Sequence, residues 1–394
     1  MKKSLLALAV LGAAAFSAQA ANVSLYGVVD AGLAFTNTDE YDIDGKHVVS
    51  DESNFSMDSG INAASRFGII GTEDLGNGMK VSFKLENGFN PDDGTMNQEN
   101  RLFGREASLT LSGDFGKISA GRMGGVGSSA GTYDYVFAMA EAFDGGDYEI
   151  WGMASSSRYD NMITYETPSF AGVKFTAQYS FDADTKSDND DYKAGSQHGD
   201  EGKTTVDRYA SFAVTGEYGA LQFVGAYEYF NHASNSLVKE DGHLVHVGGN
   251  YDFGVTKVFA LAQYFQGLKG VNNAWSSSDL VDDDMFGTER FDGFKGYGLH
   301  LGAITPLFGG DLTTAVYWND FTMEAYQEAA TDRAEDFDGS YIGVSARYAY
   351  HLSKRTDLYV GAGYAKADFE TGTDGVHDAE KKLAQAYVGM THRF

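Results

Sequence analysis

The most regular feature of this sequence is a two-residue alternation of apolar and polar side chains. Along residues 22–35, one face carries Val23, Leu25, Gly27, Val29, Ala31, Leu33 and Phe35. The same alternation returns at residues 79–86 and again at residues 385–391, close to the end of the chain. A period of two residues is typical of β-strands that have one apolar face and one mixed face. The pattern therefore predicts an all-β protein.

Short turn signals that combine Gly, Asp, Ser or Pro separate pairs of these strands. Seven of them occur, at residues 73–78, 113–116, 168–172, 218–220, 252–254, 306–310 and 353–356. The segments between them have room for two strands of roughly 10 residues each, the length that crosses a bilayer, and one long polar loop. If both chain termini lie on the side of the short turns, seven turns joining two strands each and two terminal strands predict 16 strands.

An even number of antiparallel strands can close into a barrel. Closure matters because open sheet edges aggregate and because every backbone N–H and C=O group in lipid must be paired. A soluble β-sandwich or β-propeller shares the alternation, but bilayer-length strands favour a membrane barrel. We therefore expect a transmembrane 16-stranded antiparallel β-barrel with short periplasmic turns and long outer loops.

The N-terminus has the three-part layout of a bacterial secretory signal. Lys2 and Lys3 precede an apolar run at residues 5–16, and Ala18-Gln19-Ala20 forms a small-residue cleavage site. We expect a signal peptide at 1–20 and a mature barrel domain at 21–394. The apolar run is too short to span a bilayer, and no later segment has the roughly 18 consecutive apolar residues that a membrane helix needs. The expected location is the outer membrane of a Gram-negative bacterium.

Composition narrows the function further. The 394 residues include 56 Asp and Glu against 29 Lys and Arg, which gives a net charge of −27 and disfavours nucleic acid as a partner. The absence of cysteine excludes disulfide scaffolds and thiolate metal sites. Much of the excess acid lies at residues 182–191, 279–284 and 324–338, in expected outer loops. These segments are either simple solvated surface or carboxylates that recruit divalent cations and so bridge to anionic lipid and lipopolysaccharide headgroups.

Several segments resemble one protein family. They lie at residues 23–32, 65–76, 103–107, 113–116, 158–165, 352–359 and 388–394. Together these segments resemble the general diffusion porins of Gram-negative bacteria, particularly the beta-proteobacterial type. The resemblance implies a homotrimer of 16-stranded barrels, each forming a water-filled pore for ions and small hydrophilic solutes. It also implies that the third outer loop folds inward as a constriction.

The resemblance further implies a basic side of this constriction on the barrel wall, formed by Arg66, Arg105 and Arg158. Strand parity also directs Arg66 and Arg158 to the lumen. Arg105, by contrast, shares its parity with apolar residues such as Leu109, a conflict that a β-bulge or an apolar lumen segment beneath the loop would resolve. The secondary lumen candidates are Lys80, Lys84 and Arg122.

The constriction loop is expected at about residues 123–157. Its segment 141–147 resembles the acidic, glycine-bearing tip of the family's loop, without the proline often found there. We expect the acidic side of the constriction to consist of Glu141, Asp144 and Asp147, with Asp134 in reserve. Three arginines facing three acids predict weak ion selectivity, and the acidic outer loops tilt it toward cations. The last residue, Phe394, fits the family's terminal aromatic signal for outer-membrane assembly, although an interfacial girdle role would also explain it.

Other chemistries find little support. The sequence has no His-Glu-x-x-His pair and no Gly-x-Ser-x-Gly elbow, and the glycine-rich segment 124–131 lacks the lysine of a phosphate-binding loop. His243 and His246 are three residues apart, which places them on opposite faces of a strand. We therefore expect no catalytic residues, no cofactor and no metal. Two alternatives stay open: an adhesin or receptor that acts through loops 182–203 and 324–338, and a solute-specific channel with an aromatic track.

Overall fold

The computed structural model describes residues 22–41, 47–186, 200–236, 238–272, 275–276, 291–325, 336–371 and 379–394. The expected signal peptide, the acidic segment 279–284 and most of the acidic segment 324–338 lie outside these residues.

The described chain is built almost entirely of strands. They are β1 (Asn22–Tyr41), β2 (His47–Ser59), β3 (Arg66–Gly76), β4 (Met79–Gly88), β5 (Glu106–Gly113), β6 (Gly116–Gly124), β7 (Arg158–Glu166), β8 (Val173–Ser180), β9 (Arg208–Tyr218), β10 (Leu221–Asn231), β11 (Gly242–Asp252), β12 (Lys257–Leu268), β13 (Gly270–Asn272), β14 (Trp275–Ser276), β15 (Phe291–Leu307), β16 (Gly310–Ala325), β17 (Phe337–Ser353), β18 (Thr356–Thr371) and β19 (Ala379–Arg393). Two short helical segments are α1 (Asn97–Asn100) and α2 (Val136–Ala140). No helix in the described part of the chain has the length and apolarity that a membrane crossing requires.

The strands close into a single antiparallel barrel. Strand β1 pairs with β19 over Val28–Tyr41, which joins the two ends of the chain. The other edge of β1 pairs with β2 through its second half and with β3 through its first half, so β2 and β3 occupy one position in the barrel. The 17 strands of the sheet therefore fill 16 barrel positions, as the sequence predicted. Strands β13 and β14 form a separate hairpin in the connection between β12 and β15.

All seven predicted turns connect neighbouring strands at one end of the barrel. They join β3 to β4, β5 to β6, β7 to β8, β9 to β10, β11 to β12, β15 to β16 and β17 to β18. The first residues of β1 and the last residues of β19 lie at this same end, since Gly27 and Phe394 exchange two backbone hydrogen bonds of 3.1 and 3.0 Å. Both chain termini therefore lie on the side of the short turns, as the strand count assumed.

The barrel carries apolar side chains on its outer face and polar side chains on its inner face, which is the reverse of a soluble protein. In β11, Val245 and Val247 are exposed on the outer face, whereas His246 between them is fully buried on the inner face. In β15 the outward residues Leu299 and Leu301 are likewise exposed, and His300 between them is buried. An apolar outer band and a polar interior suit a barrel surrounded by lipid.

The connection between β6 and β7 folds into the barrel, as expected for the constriction loop. Its short helix α2 packs against the inner faces of β10, β11 and β12. Buried side chains of this connection, including Phe137, Ile150 and Met153, join one cluster with wall residues such as Leu244 and Tyr317. Burial of this apolar surface holds the loop against the wall and narrows the lumen on the opposite side.

Candidate pore constriction

Four arginines gather on the wall that faces the loop. Arg66 is the first residue of β3, Arg105 directly precedes β5, Arg122 lies near the end of β6, and Arg158 is the first residue of β7. Arg105 Nε lies 2.7 Å from Glu86 Oε1, and Arg66 Nε lies 4.0 Å from Glu86 Oε2. Arg158 is close enough to Arg105 and Arg122 to experience the charge of both. The structure therefore brings the three arginines expected from the resemblance, and Arg122, into one cluster.

The position of Arg105 resolves its parity conflict. Leu109 and Leu111 point outward from β5, and Leu109 is 57% exposed. Arg105 precedes the strand, and its backbone N–H donates to the carbonyl oxygen of Glu86, which is also the register partner of Glu106. The consecutive residues Arg105 and Glu106 therefore both lie opposite Glu86, which is the arrangement of a β-bulge. The alternative of an apolar lumen segment is wrong, because the apolar side chains of β5 lie on the outer face.

The secondary candidates divide into two groups. Lys84 Nζ lies 2.9 Å from Glu106 Oε2, and an Arg122 guanidinium nitrogen lies 2.6 Å from Asp160 Oδ1, so both side chains belong to the basic cluster. Lys80 occupies the same face of β4 as Lys84, but it is exposed and lies four residues closer to the short turn. The structure does not bring Lys80 into the cluster.

Two acidic residues that hold these arginines, Glu86 and Asp160, were not predicted from the sequence. Glu86 contacts Arg105, Lys84 and Arg66, and Asp160 pairs with Arg122 and Arg101. Glu86 shares the parity of Lys84 along β4, so its lumen position was readable from the alternation. Asp160 gave no such signal, because Asn161 next to it has a left-handed backbone with φ of 48° and the β6–β7 register shifts there.

Glu141 does not present its carboxylate to the lumen. The side chain is buried, and its Oε2 accepts hydrogen bonds from the backbone N–H groups of Gly145 at 2.8 Å and Gly146 at 3.2 Å. Its Oε1 accepts from the Tyr317 hydroxyl at 2.6 Å. The expectation that Glu141 lines the constriction is corrected: its carboxylate organises the tip of the loop and ties it to β16.

Asp147 is also buried, at 0% exposure, and faces the wall. Its carboxylate accepts hydrogen bonds from the Ser345 and Tyr387 hydroxyls, and Arg347 lies 3.4 Å away. The Gln385 amide donates to its backbone oxygen at 2.9 Å. Asp147 therefore fixes the loop to β17 and β19, and the expectation that it lines the constriction is corrected in the same way.

Asp144 and the reserve candidate Asp134 occupy the lumen side of the loop. Asp144 is exposed, with a left-handed φ of 55° that turns the chain at the tip, and the charge of Arg66 acts on it. Although water reaches both carboxyls, the loop and wall displace most bulk solvent, which raises the pKa of Asp134 well above its usual range and also raises the pKa of Asp144. The two carboxyl groups also lie close enough to interact with each other. The charge of Arg66 thus acts on Asp144, and the charge of Asp134 acts on Arg158, so the structure brings these two carboxyls of the loop near the arginines.

Further contacts hold the rest of the loop. The Gln263 amide forms two hydrogen bonds with the backbone of Ala154, of 3.0 and 2.8 Å, and the Asn319 amide donates to the Gly152 oxygen. At the start of the loop, the backbone N–H of Gly127 donates to Glu228, which also pairs with His246 at 2.7 Å. Wall residues from β10 to β19 thus fix the loop at several points along its length.

Comparison with known proteins agrees with this architecture. The family model described as Gram-negative porin matches residues 7–370. An outer membrane porin protein of Bordetella pertussis is 32% identical over the whole of both chains. Outer membrane porin protein 32 of Delftia acidovorans is 27% identical, over 93% of this chain and 90% of the relative.

A solved structure extends the comparison to the fold. The anion-selective porin from Comamonas acidovorans superposes with a TM-score of 0.63 at 23% sequence identity, over 95% of this chain and all of that chain. The chain belongs to the Gram-negative porin family and forms an outer-membrane channel for the passive diffusion of solutes.

Proposed function

We propose that the constriction makes this pore favour small anions over cations. The supporting observation is the imbalance between the basic and the acidic side chains that reach the lumen. Two of the three carboxylates expected to oppose the arginines, those of Glu141 and Asp147, accept hydrogen bonds within the wall and the loop. The third carboxylate, that of Asp144, and the reserve candidate Asp134 face a cluster of four arginines.

Arg158 contributes most to this imbalance. Among the described residues, no carboxylate lies within 4.0 Å of its guanidinium, whereas Arg105 pairs with Glu86 and Arg122 pairs with Asp160. A charge in a narrow lumen with low-dielectric walls acts on passing ions more strongly than the same charge in bulk water. The positive side therefore dominates, in contrast to the cation preference that the acidic outer loops suggested.

The reversal potential of the purified protein in a planar bilayer, under a KCl gradient, tests this proposal. The wild-type potential should have the sign of a chloride-preferring pore, and Arg158→Gln should shift it toward potassium. Arg355→Gln removes the same charge from the exposed turn between β17 and β18 and should leave the potential unchanged. Potassium preference of the wild type, or an unchanged potential in Arg158→Gln, contradicts the proposal.

We further propose that the working form is a homotrimer that contacts outer-membrane lipid and lipopolysaccharide through the apolar outer face. The outer membrane protein OmpT of Vibrio cholerae, which has a trimer form, shares the fold with a TM-score of 0.56 at 16% identity. Light scattering of the detergent-solubilised protein tests the trimer: a mass three times that of the protomer supports it, and a protomer mass contradicts it.

A further inference from the structure

A cavity of about 290 Å³ lies beside Arg158, on the side of the barrel opposite the short turns. Its walls come from the loop-side ends of β7, β9, β10 and β12. The lining residues used below are Arg158, Tyr159, Arg208, Tyr209, Phe230 and Lys269. Ligand pockets span roughly 300 to 1,000 Å³, so this volume suits a small solute.

The cavity carries two guanidinium groups without acidic partners. Among the described residues, Arg158 and Arg208 have no carboxylate within 4.0 Å, and the Nε atom of each is buried without a hydrogen-bond partner. The two acids of the lining are already engaged: Asp184 lies 2.6 Å from Arg101, and Asp207 lies 2.7 Å from Lys269. Both side chains are only half-buried, so the other N–H groups of a guanidinium that lacks an acidic partner can donate to a bound anion.

One wall of the cavity is aromatic. The rings of Tyr159 and Tyr209 stack with centroids 4.2 Å apart and an interplanar angle of 25°, and Phe230 lies 5.5 Å from Tyr209. The Tyr209 hydroxyl donates to Glu228, and the Tyr159 hydroxyl accepts from the backbone N–H of Ser157 at 3.1 Å. Because both hydroxyls have partners, this wall is apolar, and the half-buried Phe230 is its most accessible ring.

We propose that this cavity binds small aromatic carboxylates on the loop side of the constriction. The carboxylate contacts Arg158 and Arg208, and the ring of the solute packs against the aromatic wall. This inference rests on the proposed preference for anions and names a solute class for the same side of the pore. The site holds such solutes next to the constriction before they pass.

Benzoate, added to the bilayer chamber at increasing concentration, is the probe. We expect a saturable reduction of the single-channel chloride current, and no saturable reduction by benzamide, which has the same ring without the charge. Arg208→Gln should raise the half-blocking benzoate concentration by about tenfold or more, since it removes a charge-assisted hydrogen bond. Phe230→Ala, which removes the ring while retaining both arginines, should also raise it, and Arg355→Gln should not.

The outcomes separate this inference from the proposed function. Equal effects of benzoate and benzamide, or an unchanged half-blocking concentration in both Arg208→Gln and Phe230→Ala, overturn the binding site even if the reversal potential shows chloride preference. Saturable benzoate block in a pore that prefers potassium supports the site and rejects the general anion preference. Unblocked channel current from each variant shows that it has folded and inserted.

Discussion

The carboxyl groups of Asp134 and Asp144 share a small volume of the lumen, and this proximity makes their charge sensitive to pH. Removal from bulk water raises the pKa of both groups, and the charge of Glu141 raises them further, while Arg66 opposes the shift at Asp144. When two close carboxyls titrate together, the first proton binds at a higher pH than an isolated aspartate would require. The pair therefore begins to lose negative charge while the arginines stay fully charged.

Lowering the pH should consequently strengthen the preference for anions. A raised pKa means that the charged form is lost as the pH falls through the raised value, so the shift should begin above the ordinary aspartate range near about 4. Asp134→Asn should show at neutral pH the reversal potential that the wild type reaches only in acid, with a flatter pH dependence. Reversal potentials from about pH 8 to about pH 4 measure this, with Glu73→Gln near a short turn as the charge-matched control. A wild-type potential that stays constant over this range would contradict the proton-sharing pair.

The basic and acidic sides of the constriction differed in how far the sequence could predict them. Arg66 and Arg158 are the first residues of β3 and β7, where the two-residue period of a strand assigns each side chain to a face. Glu141 and Asp147 lie in a loop without such a period, and their partners are distant: Tyr317 is 176 residues from Glu141, and Tyr387 is 240 residues from Asp147. The sequence around an acidic residue at the loop tip is the same whether its side chain faces the lumen or the wall, so the orientation could not be predicted.

At the scale of the element, the carboxylates of the constriction loop accept several of the hydrogen bonds that hold it. Asp147 is the densest of these points, with contacts to Ser345, Tyr387 and Arg347. These partners come from β17 and β19, on the far side of the barrel from the strands that flank the loop. The loop therefore spans the lumen and is held at its far end.

Removing the Asp147 carboxylate should loosen that end. Asp147→Ala leaves two hydroxyls and a guanidinium without their acceptor, which costs about 1–3 kcal/mol for each buried group left unpaired. We expect larger fluctuations of the open-channel current and an altered mean conductance. Glu149→Ala removes the same charge two residues away, where the side chain is exposed, and serves as the control. Equal current noise in the two variants would show that the contacts of Asp147 do not hold the loop.

For the whole molecule, the strand number followed from the sequence because the turns are local and the closure rule is general. Seven turns and two terminal strands sufficed, since pairing in an up-and-down barrel is between chain neighbours. The interruption between β2 and β3 was not predicted. It depends on Asp30 and Ser65, which bond across 35 residues, and on Thr391, which donates to Asp30 from the other end of the chain. Contacts between the chain ends carry no local signature.

At the seam between the chain ends, closure of the barrel depends on the absence of a side chain at Gly27. A Cβ atom added at Gly27 would lie 2.3 Å from the Phe394 ring, whose residue exchanges two backbone hydrogen bonds with Gly27. Gly27→Val should therefore displace the ring and destabilise the closed barrel, by about 1–3 kcal/mol for an overpacked contact. Gly225→Val is the matched control, because a Cβ there has no neighbour closer than 4.0 Å.

The folded fraction after refolding into detergent, measured by the gel mobility of unheated samples, tests the clash. Gly27→Val should refold less completely than the wild type and Gly225→Val. Adding Phe394→Ala should restore part of the refolding, because it removes the ring but leaves the backbone oxygen of Arg66, 2.7 Å from the added Cβ. Failure of the double variant to recover at all would locate the defect in the contact with the Arg66 backbone of β3 instead. The single variant Phe394→Ala, expressed in cells, tests the expected assembly signal separately. If the signal is real, this variant should refold normally in detergent but reach the outer membrane in reduced amount. Normal amounts in the outer membrane would leave Phe394 with a packing role alone.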